Sequence, residues 1–418
     1  MPALSEKQND VVLVAPFRDD SAPERRRPEP GRRGRRGRRG RRGRRSPWVY
    51  RLRRAVVILA VLAVVPAWSV AGALTAPGTD TVPARLAEWA RLHGLDWAVT
   101  GLEQVQYALT QPATGGTVAG GIPTTTVDGN ASGVANGLPS PSARFDLPPA
   151  ALLPQLTNPL PGEGSWHPLL KVGGFTAARA AFLRPDGVHT AYLVAVVWMD
   201  PHLLAFGLHP GYTVPGPVGG VSTQIPASQR STILGTFNSG FQMKDANGGY
   251  WQTGHTVSPL RAGAASMVFT RDGKVDVQSW PGGAPSPGVT AVRQNLQLLI
   301  DNGSMSPLVA NPSTKVWGKT VGNKAYVWRS GIGVRADGSV VFVVGPAMSV
   351  QTLANVLQDA GAVRAMELDI NKDWTNYLTY THPSAGVATP HKLISSQVPS
   401  PYRYLQPSSR DFVSVLGR

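Results

Sequence analysis

An uncharged apolar run near the N-terminus constrains this chain more than any other feature. It extends over 21 residues from Ala55 to Thr75, and the next charged residue is Asp80. A helix of about 20 apolar residues spans the ~30 Å hydrocarbon layer of a membrane, and Pro66 is tolerated there. A cleaved signal peptide usually has a shorter apolar stretch, about 7–15 residues, behind a short charged start. The run therefore predicts a retained transmembrane anchor over 55–75, with a cleaved signal or a buried core helix as alternatives.

A strongly basic segment precedes the run. Residues 1–54 contain 18 Lys and Arg against 6 Asp and Glu, and residues 31–45 repeat Gly-Arg-Arg five times. Like charges at this density resist packing, so the segment is predicted to be a disordered, Arg-rich cytoplasmic tail. Basic residues beside an anchor stay in the cytoplasm, which places the chain after about residue 76 outside the cell. Anionic lipid headgroups are the favoured partner of the tail, and nucleic acid is not favoured.

The residues between the anchor and the main domain differ in composition from both. Residues 76–110 carry apolar side chains at helical spacing, which predicts short juxtamembrane helices. Residues 111–165 are dominated by Gly, Pro, Ser and Thr and are predicted to form a flexible linker. The chain has no Cys, which excludes disulfides, zinc thiolate sites, iron–sulfur clusters and Cys nucleophiles.

The folded domain is predicted over residues 166–418 and is rich in strand signals. Asp272-Gly273 and Asp337-Gly338 each separate two apolar segments and indicate hairpins. One helix is indicated between Ser349, which caps it, and Gly361, which ends it, and this helix joins two strands. The predicted fold class is α+β, a strand-rich mixed α/β domain preceded by a single transmembrane helix and a flexible tether.

Two acidic residues near the end of one predicted strand are the strongest local signal. Glu367 and Asp369 are two residues apart, so in a strand they face the same side. Facing carboxylates push each other's pKa values apart, which suits an acid/base pair or a site for a divalent cation. The alternative is an exposed strand end at which Lys372 neutralises one acid.

Other polar residues lie among glycines. Asn238, Ser239 and Gly240 follow an apolar strand, where small residues allow a ligand to approach the backbone, although an ordinary turn has the same composition. Arg329 precedes a glycine-spaced strand and suits a bidentate phosphate contact, although a surface Arg is the simpler interpretation. The remaining substrate-binding candidates are Ser330, His255 after Gly254, and Asp301 at a strand end.

Three of these segments, in this order, resemble the phosphodiester glycosidase family. Asn238 to Gln242 is similar to the family's Asn-Gly-Gly-Phe-Phe turn, and Arg329 to Gly333 resembles its Arg-Thr-Ala-Ile-Gly strand entry. Leu368-Asp369 stands where the family has Leu-Asp-Gly-Gly-Gly-Ser. The resemblance covers about residues 170–382, and bacterial members are often exopolysaccharide-related.

The resemblance implies a membrane-anchored extracytoplasmic hydrolase that cleaves sugar-1-phosphodiester linkages of cell-envelope glycan or exopolysaccharide. Arg329 would hold the phosphate, Asp369 and Glu367 would form the acid/base pair or hold a divalent cation, and Asn238 would bind a sugar hydroxyl.

Two alternatives to this activity stay open. Residues 370–373 read Ile-Asn-Lys-Asp in place of the family's glycines and serine, so a catalytically inactive, glycan-binding scaffold is the second hypothesis. The third makes the Arg-rich tail a DNA- or lipid-binding arm coupled to an outer sensor domain.

Overall fold

The computed structural model describes residues 47–124, 129–131, 149–310, 316–318 and 326–418. The chain divides into two compact units, residues 1–62 and 63–418. Almost all of the predicted Arg-rich tail and the middle of the predicted linker lie outside the described residues.

The helices are few compared with the strands. The long α1 (Pro47–Leu74) contains the predicted span 55–75, and its residues Trp48–Leu74 are long and apolar enough to cross a membrane. The segment that follows forms two helices, α2 (Val82–Leu92) and α3 (Asp96–Leu109), which pack against each other as a hairpin. The domain contains α4 (Val350–Asp359) and three short 3-10 helices, Ala227–Gln229, Pro307–Ala310 and Arg403–Leu405.

The strands form three sheets, which confirms the strand-rich mixed fold class. In chain order they are β1 (Gly129–Ala131), β2 (His167–Val172), β3 (Phe175–Leu183), β4 (Val194–Met199), β5 (Leu204–His209), β6 (Ile233–Asn238), β7 (Tyr250–Gln252), β8 (His255–Ser258), β9 (Ala265–Thr270), β10 (Val275–Ser279), β11 (Val289–Gln294), β12 (Leu298–Asp301), β13 (Ser304–Met305), β14 (Val327–Arg335), β15 (Val340–Met348), β16 (Ala362–Glu367), β17 (Tyr377–Thr381), β18 (Thr389–Lys392) and β19 (Phe412–Gly417).

The largest sheet has the order β1-β2-β3-β4-β15-β14-β16-β12-β13. Both predicted hairpins are confirmed, β9–β10 and β14–β15, and Gly338 at the second turn has φ +83°, a conformation that glycine adopts without strain. The predicted strand–helix–strand unit is also confirmed as β15–α4–β16. Its two strands pair with opposite edges of β14, and α4 packs on the sheet with Leu353 and Leu357 fully buried.

The two smaller sheets have the orders β10-β9-β11-β7-β8 and β18-β17-β6-β19-β5. Aromatic residues of different sheets meet in the main core, where the Phe237 ring on β6 lies 4.6 Å from the Phe342 ring on β15. The end of β6, the end of β16 and the start of β19 are therefore held close together between the first and third sheets.

Parts of the predicted linker contact the domain. Leu152 is buried, and its backbone N–H donates to the Gly164 carbonyl at 3.0 Å. Glu163 and Arg184 form an ion pair at 2.8 Å, and both side chains are nearly inaccessible to solvent. These contacts hold the described part of 111–165 against the domain. Detaching it would leave the buried Arg184 without its negative partner, which costs free energy.

Candidate functional site

The three motif segments identified in the sequence meet at one place. The Asn238 side-chain N–H donates to the Ser330 hydroxyl at 2.8 Å. The Ser330 backbone N–H donates to the Asp369 carbonyl at 2.9 Å, and the Leu368 N–H donates to the Ser330 carbonyl at 2.8 Å. The ends of β6 and β16 and the middle of β14 are thus joined by hydrogen bonds that do not involve a helix or a regular strand pair.

Asn295, which follows β11, holds two of these segments together. Its side-chain oxygen accepts from the Phe241 backbone N–H at 3.1 Å, and its side-chain N–H donates to the carbonyls of Glu367 and Leu368 at 2.9 and 3.0 Å. A Cβ on Gly240 would lie 2.9 Å from the Asn295 side-chain carbon. Glycine is therefore required at 240, because any other residue would push the amide away from the strand end that carries Asp369.

The carboxyl group of Asp369 lies beside a guanidinium that the sequence did not reveal. Arg410, just before β19, donates to Asp369 Oδ2 at 3.1 Å and to Glu88 of α2 at 2.9 Å. Gln242 donates a third hydrogen bond, at 2.7 Å, to the Glu88 carboxylate. All four side chains are buried. The arrangement is a carboxylate–guanidinium–carboxylate row, with the inner acid supplied by the domain and the outer acid by the helical hairpin.

The surroundings of this row shift the pKa values of Asp369 and Arg410. Burial raises the pKa of Asp369; Arg410 opposes the rise, and the carboxylate of Glu88 adds to it. Burial lowers the pKa of Arg410, but the carboxylates of Glu88, Asp369 and Asp411 outweigh burial, so the pKa is raised overall. Arg410 is therefore a permanent cation beside an acid whose pKa is raised above its usual value.

Arg329 and Glu367 form a separate pair beneath this row. The Arg329 guanidinium donates to Glu367 Oε1 at 2.5 Å and to the Met348 carbonyl at 2.9 Å. Neither side chain is accessible to solvent. Burial raises the pKa of Glu367 to about 7, and the Arg329 guanidinium opposes that rise. The predicted phosphate contact of Arg329 is not in place, because its guanidinium lies in the core and contacts Glu367 instead of a cavity.

Aromatic and basic side chains form another wall of the site. Two guanidinium groups lie over the Trp374 ring, with Arg403 at 4.5 Å and Arg410 at 4.9 Å from the ring centre. Arg403 also forms a 3.0 Å ion pair with Asp80, which precedes α2. Cation–π contact with one indole attracts both guanidinium groups to this wall of the site.

Two cavities adjoin Asp369 and Arg410. The larger has a volume of about 810 Å³ and lies between the α2–α3 hairpin and the domain. The smaller, about 10 Å³, is lined by residues that include Ser239, Asp411 and Arg410. Ser239 Oγ, Asp411 Oδ1 and Arg410 Nε are buried without a hydrogen-bond partner among the described residues. Such atoms are costly to bury alone, so this end of the site is suited to a polar ligand group.

The sequence candidates divide into three groups by position. Asn238, Ser239, Gly240 and Asp369 line the small cavity, and Ser330 lies directly behind them. Arg329 and Glu367 are buried below. His255 is exposed on β8, Asp301 is exposed at the end of β12, and neither lines either cavity. His255 belongs to a different sheet, whereas Asp301 ends β12, which pairs antiparallel with β16 and therefore carries Asp301 to the opposite end of the same sheet from Asp369.

Sequence analysis missed Arg410, Glu88 and Asn295. Arg410 and Asp411 are a charged pair directly before the apolar strand β19, a position that a motif search does not single out. Glu88 occupies the helix face that includes buried Ala84, so a carboxylate at an inward position was the one available signal.

Among the described residues, no three His, Cys, Asp or Glu side chains are grouped as metal ligands would be.

Residues 230–369 match the sequence profile of the phosphodiester glycosidase family, which confirms the resemblance seen in the motifs. The matched segment begins just before β6 and ends at Asp369, so it contains Asn238, Ser330 and the carboxyl group at the centre of the site. Arg410 and Glu88 lie outside it. No curated protein matches the sequence.

Solved structures with a related arrangement have low sequence identity to this chain. The zebrafish N-acetylglucosamine-1-phosphodiester α-N-acetylglucosaminidase catalytic domain, auto-inhibited by its pro-peptide, is 13% identical with a TM-score of 0.40, covering 58% of this chain and 84% of that one. A hypothetical protein from Synechocystis is 16% identical with a TM-score of 0.34, covering 61% and 65%. An exported protein from Burkholderia pseudomallei is 13% identical with a TM-score of 0.26, covering 54% and 74%. These scores are low, and the family assignment rests on the profile match.

Proposed function

We propose that this chain, whose residues 230–369 match the phosphodiester glycosidase family, is a membrane-anchored extracytoplasmic hydrolase of sugar-1-phosphodiesters in cell-envelope glycan or exopolysaccharide. The observation that carries the proposal is the pairing of Asp369 with Arg410 beside a cavity, at the residue where the family match ends. A phosphodiester carries one negative charge, and a guanidinium with a neighbouring proton donor suits both its binding and its cleavage.

In the proposed reaction Arg410 binds the phosphate, the role that the sequence suggested for Arg329. The bond between the anomeric carbon and the phosphate oxygen breaks, and the oxygen of a water molecule forms the new bond to that carbon. Asp369 in its protonated form donates a proton to the departing phosphate oxygen, and over the cycle the water returns that proton. The raised pKa of Asp369 keeps the acid protonated to a higher pH than an exposed aspartate would be.

The residues around this pair have supporting roles in the proposal. Glu367 and Arg329 form the buried ion pair beneath Asp369 and fix the end of β16. Asn238 is already bonded to Ser330 and to the Asn376 N–H, so it positions the β6 end. The Ser239 hydroxyl, buried and without a partner among the described residues, is the group that we assign to a sugar hydroxyl.

The proposed topology follows from α1 and the basic segment before it. α1 crosses the membrane, the Arg-rich tail stays in the cytoplasm against anionic lipid headgroups, and the domain after α1 lies outside. The tail carries a net charge of +12 in residues 1–54, whereas the chain as a whole carries +16.

A second function, glycan binding without catalysis, is favoured by one observation. Glu88 occupies the outer side of Arg410, at a position where a phosphate oxygen would otherwise lie. In a binding protein this row of charges would be permanent. In an enzyme the Glu88 contact must yield to substrate, because one guanidinium has a limited set of N–H donors.

The test uses the full-length chain in lipid nanodiscs and methyl esters of several sugar-1-phosphates. Release of free sugar by the wild-type protein is expected, and Asp369→Asn is expected to lower kcat by about 10²–10⁴-fold, the usual contribution of a general acid. Asp337→Asn, at the exposed turn between β14 and β15 and lining neither cavity, is the matched control and is expected to retain activity. Unchanged turnover by a folded Asp369→Asn protein would remove Asp369 from the mechanism. Glycan binding without release of sugar from any ester would establish the second function instead.

A further inference from the structure

The larger cavity extends well beyond the two charged residues that the proposed reaction uses. One end contains Asp369 and Arg410, and the rest is a groove between the α2–α3 hairpin and the loops of the domain. Its volume of about 810 Å³ falls within the range of roughly 300–1,000 Å³ found for sites that enclose a small molecule. A phosphate and one sugar at the polar end would leave most of the groove unfilled.

Apolar surface exceeds polar surface in the groove, although charged side chains, including Arg91, Glu103 and Asp245, also line it. The hairpin contributes Leu86, Ala90, Trp97 and Leu102, and the domain contributes Phe241 and Ile370. Trp97 and Leu102 are exposed by 76% and 72%, although they are large apolar residues of a folded segment. Exposed apolar side chains beside a polar end mark a surface suited to an amphiphilic ligand.

The hairpin is tied to the end of the predicted membrane helix. Arg85 of α2 donates to the Leu74 carbonyl, at the last residue of α1, at 3.0 Å. The Trp89 indole N–H donates to the Ser69 hydroxyl on α1 at 2.9 Å. The groove wall is therefore formed by helices attached to the anchor itself, and in the proposed topology they lie where α1 leaves the bilayer.

The floor of the groove lies where this chain departs from the family pattern. Ile370 and Asn371 replace glycines of that pattern, and both line the groove. The Asn371 side-chain N–H donates to Glu103 of α3 at 3.3 Å. Ile370 is buried in an apolar cluster that also contains Phe241 and, from α4, Leu353 and Leu357. The departure thus supplies an apolar side chain and a helix contact, which extends the site toward the hairpin.

We infer that the groove binds the hydrocarbon tail of a membrane-borne substrate, a sugar-1-phosphodiester whose second ester is a long-chain or polyprenyl alcohol. This inference rests on the proposed function and names its substrate class. The tail lies along Leu86, Trp97 and Leu102, and the phosphate lies at Arg410. Hydrolysis at the anomeric carbon uses one water, releases the free sugar and leaves the lipid monophosphate in the groove.

The first test compares two substrates on the full-length protein in nanodiscs. They share one sugar-1-phosphate and differ in the second ester, which is a C15 prenyl group in one and methyl in the other. The prenyl ester is expected to have a kcat/KM at least about tenfold higher, since burial of a few methylene groups accounts for that factor. Equal kcat/KM values for the two esters would overturn the inference and leave the proposed hydrolase intact.

Variants separate binding in the groove from partition into the bilayer. Leu102→Ser removes an apolar groove residue and is expected to reduce the prenyl preference by about three- to tenfold. Val105→Ser is the matched control, because Val105 is exposed by 57% on the same helix and does not line the groove. Equal losses in the two variants would mean that the hairpin contacts bulk lipid only, which would overturn the inference.

Photolabelling tests whether the groove binds a prenyl tail and does not require catalysis. A C15 prenyl phosphate with a diazirine at the tail end is photolysed with the wild-type protein in nanodiscs, and labelled peptides are identified by mass spectrometry. Labels in residues 82–109 or 370–374, displaced by unlabelled prenyl phosphate but not by inorganic phosphate, are expected. Labels confined to α1 would contradict a tail-binding groove. If displaceable hairpin labels occur and neither ester is hydrolysed, the groove is supported and the proposed hydrolase is not.

Discussion

Single side chains decide the chemistry of this site through their partners. Asp369 and Glu367 are two residues apart, yet one contacts Arg410 at the cavity and the other contacts Arg329 in the core. The structure separates them because β16 ends at Glu367, so Asp369 is no longer bound by the alternation of a strand. Of two acids that look equivalent in sequence, only Asp369 can reach a ligand.

The charge of one neighbouring residue, Glu88, affects the pKa of Asp369. Glu88→Gln removes a negative charge that raises the pKa of Asp369, so that pKa is expected to fall. Asp369 acts in its protonated form in the proposed reaction. On the alkaline side of the pH profile, the alkaline limb, kcat/KM is therefore expected to fall at a lower pH in the variant than in the wild type.

The measurement is kcat/KM against pH for both proteins. The control is Asp272→Asn in the turn between β9 and β10, because Asp272 pairs with Lys274 at 2.9 Å, lines neither cavity and is not among the charges that shift the pKa of Asp369. An alkaline limb that moves equally in the two variants, or not at all in Glu88→Gln, would contradict the role of Asp369 as the acid.

At the scale of elements, the β15–α4–β16 unit positions the Asp369 carboxyl group. Ser349 accepts from the Thr352 backbone N–H at 3.0 Å and caps α4, and the helix packs Leu353 and Leu357 onto the sheet. The helix ends at Asp359, two residues separate it from the start of β16 at Ala362, and β16 leads to Asp369. The position of that carboxyl group is therefore set by a helix that contacts no ligand.

Ser349→Ala is expected to lower the free energy of unfolding by about 1 kcal/mol, the usual effect of losing an N-cap. Turnover at 25 °C is expected to stay close to that of the wild type, because Ser349 does not line either cavity. Chemical denaturation followed by circular dichroism measures the change. Ser384→Ala, in an exposed loop, is expected to have no effect, and a Ser349→Ala protein of unchanged stability would show that the cap contributes nothing.

At the scale of the whole molecule, the chain contains a helix apolar enough to cross a membrane, a helical hairpin and a strand-rich domain. The absence of Cys from the sequence makes topology easy to measure, since every introduced Cys is the only thiol. Ser286→Cys, on an exposed loop, is expected to react with a membrane-impermeant maleimide in intact cells. Ser5→Cys, in the Arg-rich tail, is expected to react only after lysis. The reverse pattern would invert the proposed orientation.

Sequence reasoning predicted the elements better than the site. The apolar length of 55–75, the two Asp-Gly hairpins and the capped helix were all identified because these signals are local. Asn238, Ser330 and Asp369, which the sequence motifs singled out, lie together in the structure. Arg329 was expected to contact phosphate because the sequence does not show that its guanidinium pairs with Glu367 in the core. His255 and Asp301 had plausible local surroundings and lie on other strand ends.

The sequence by itself determined a helix long and apolar enough to cross a membrane, the strand-rich fold class and the resemblance to the phosphodiester glycosidase family over residues 230–369, because apolar length, hydrophobic period and ordered motifs are properties of neighbouring residues. Only the tertiary structure decided which charges meet. Arg410 is 41 positions from Asp369, and Glu88 is 322 positions from Arg410, yet the three form one row. Ion pairs over such separations depend on how sheets and helices pack, and burial then sets which side chains face a ligand and which only support the fold.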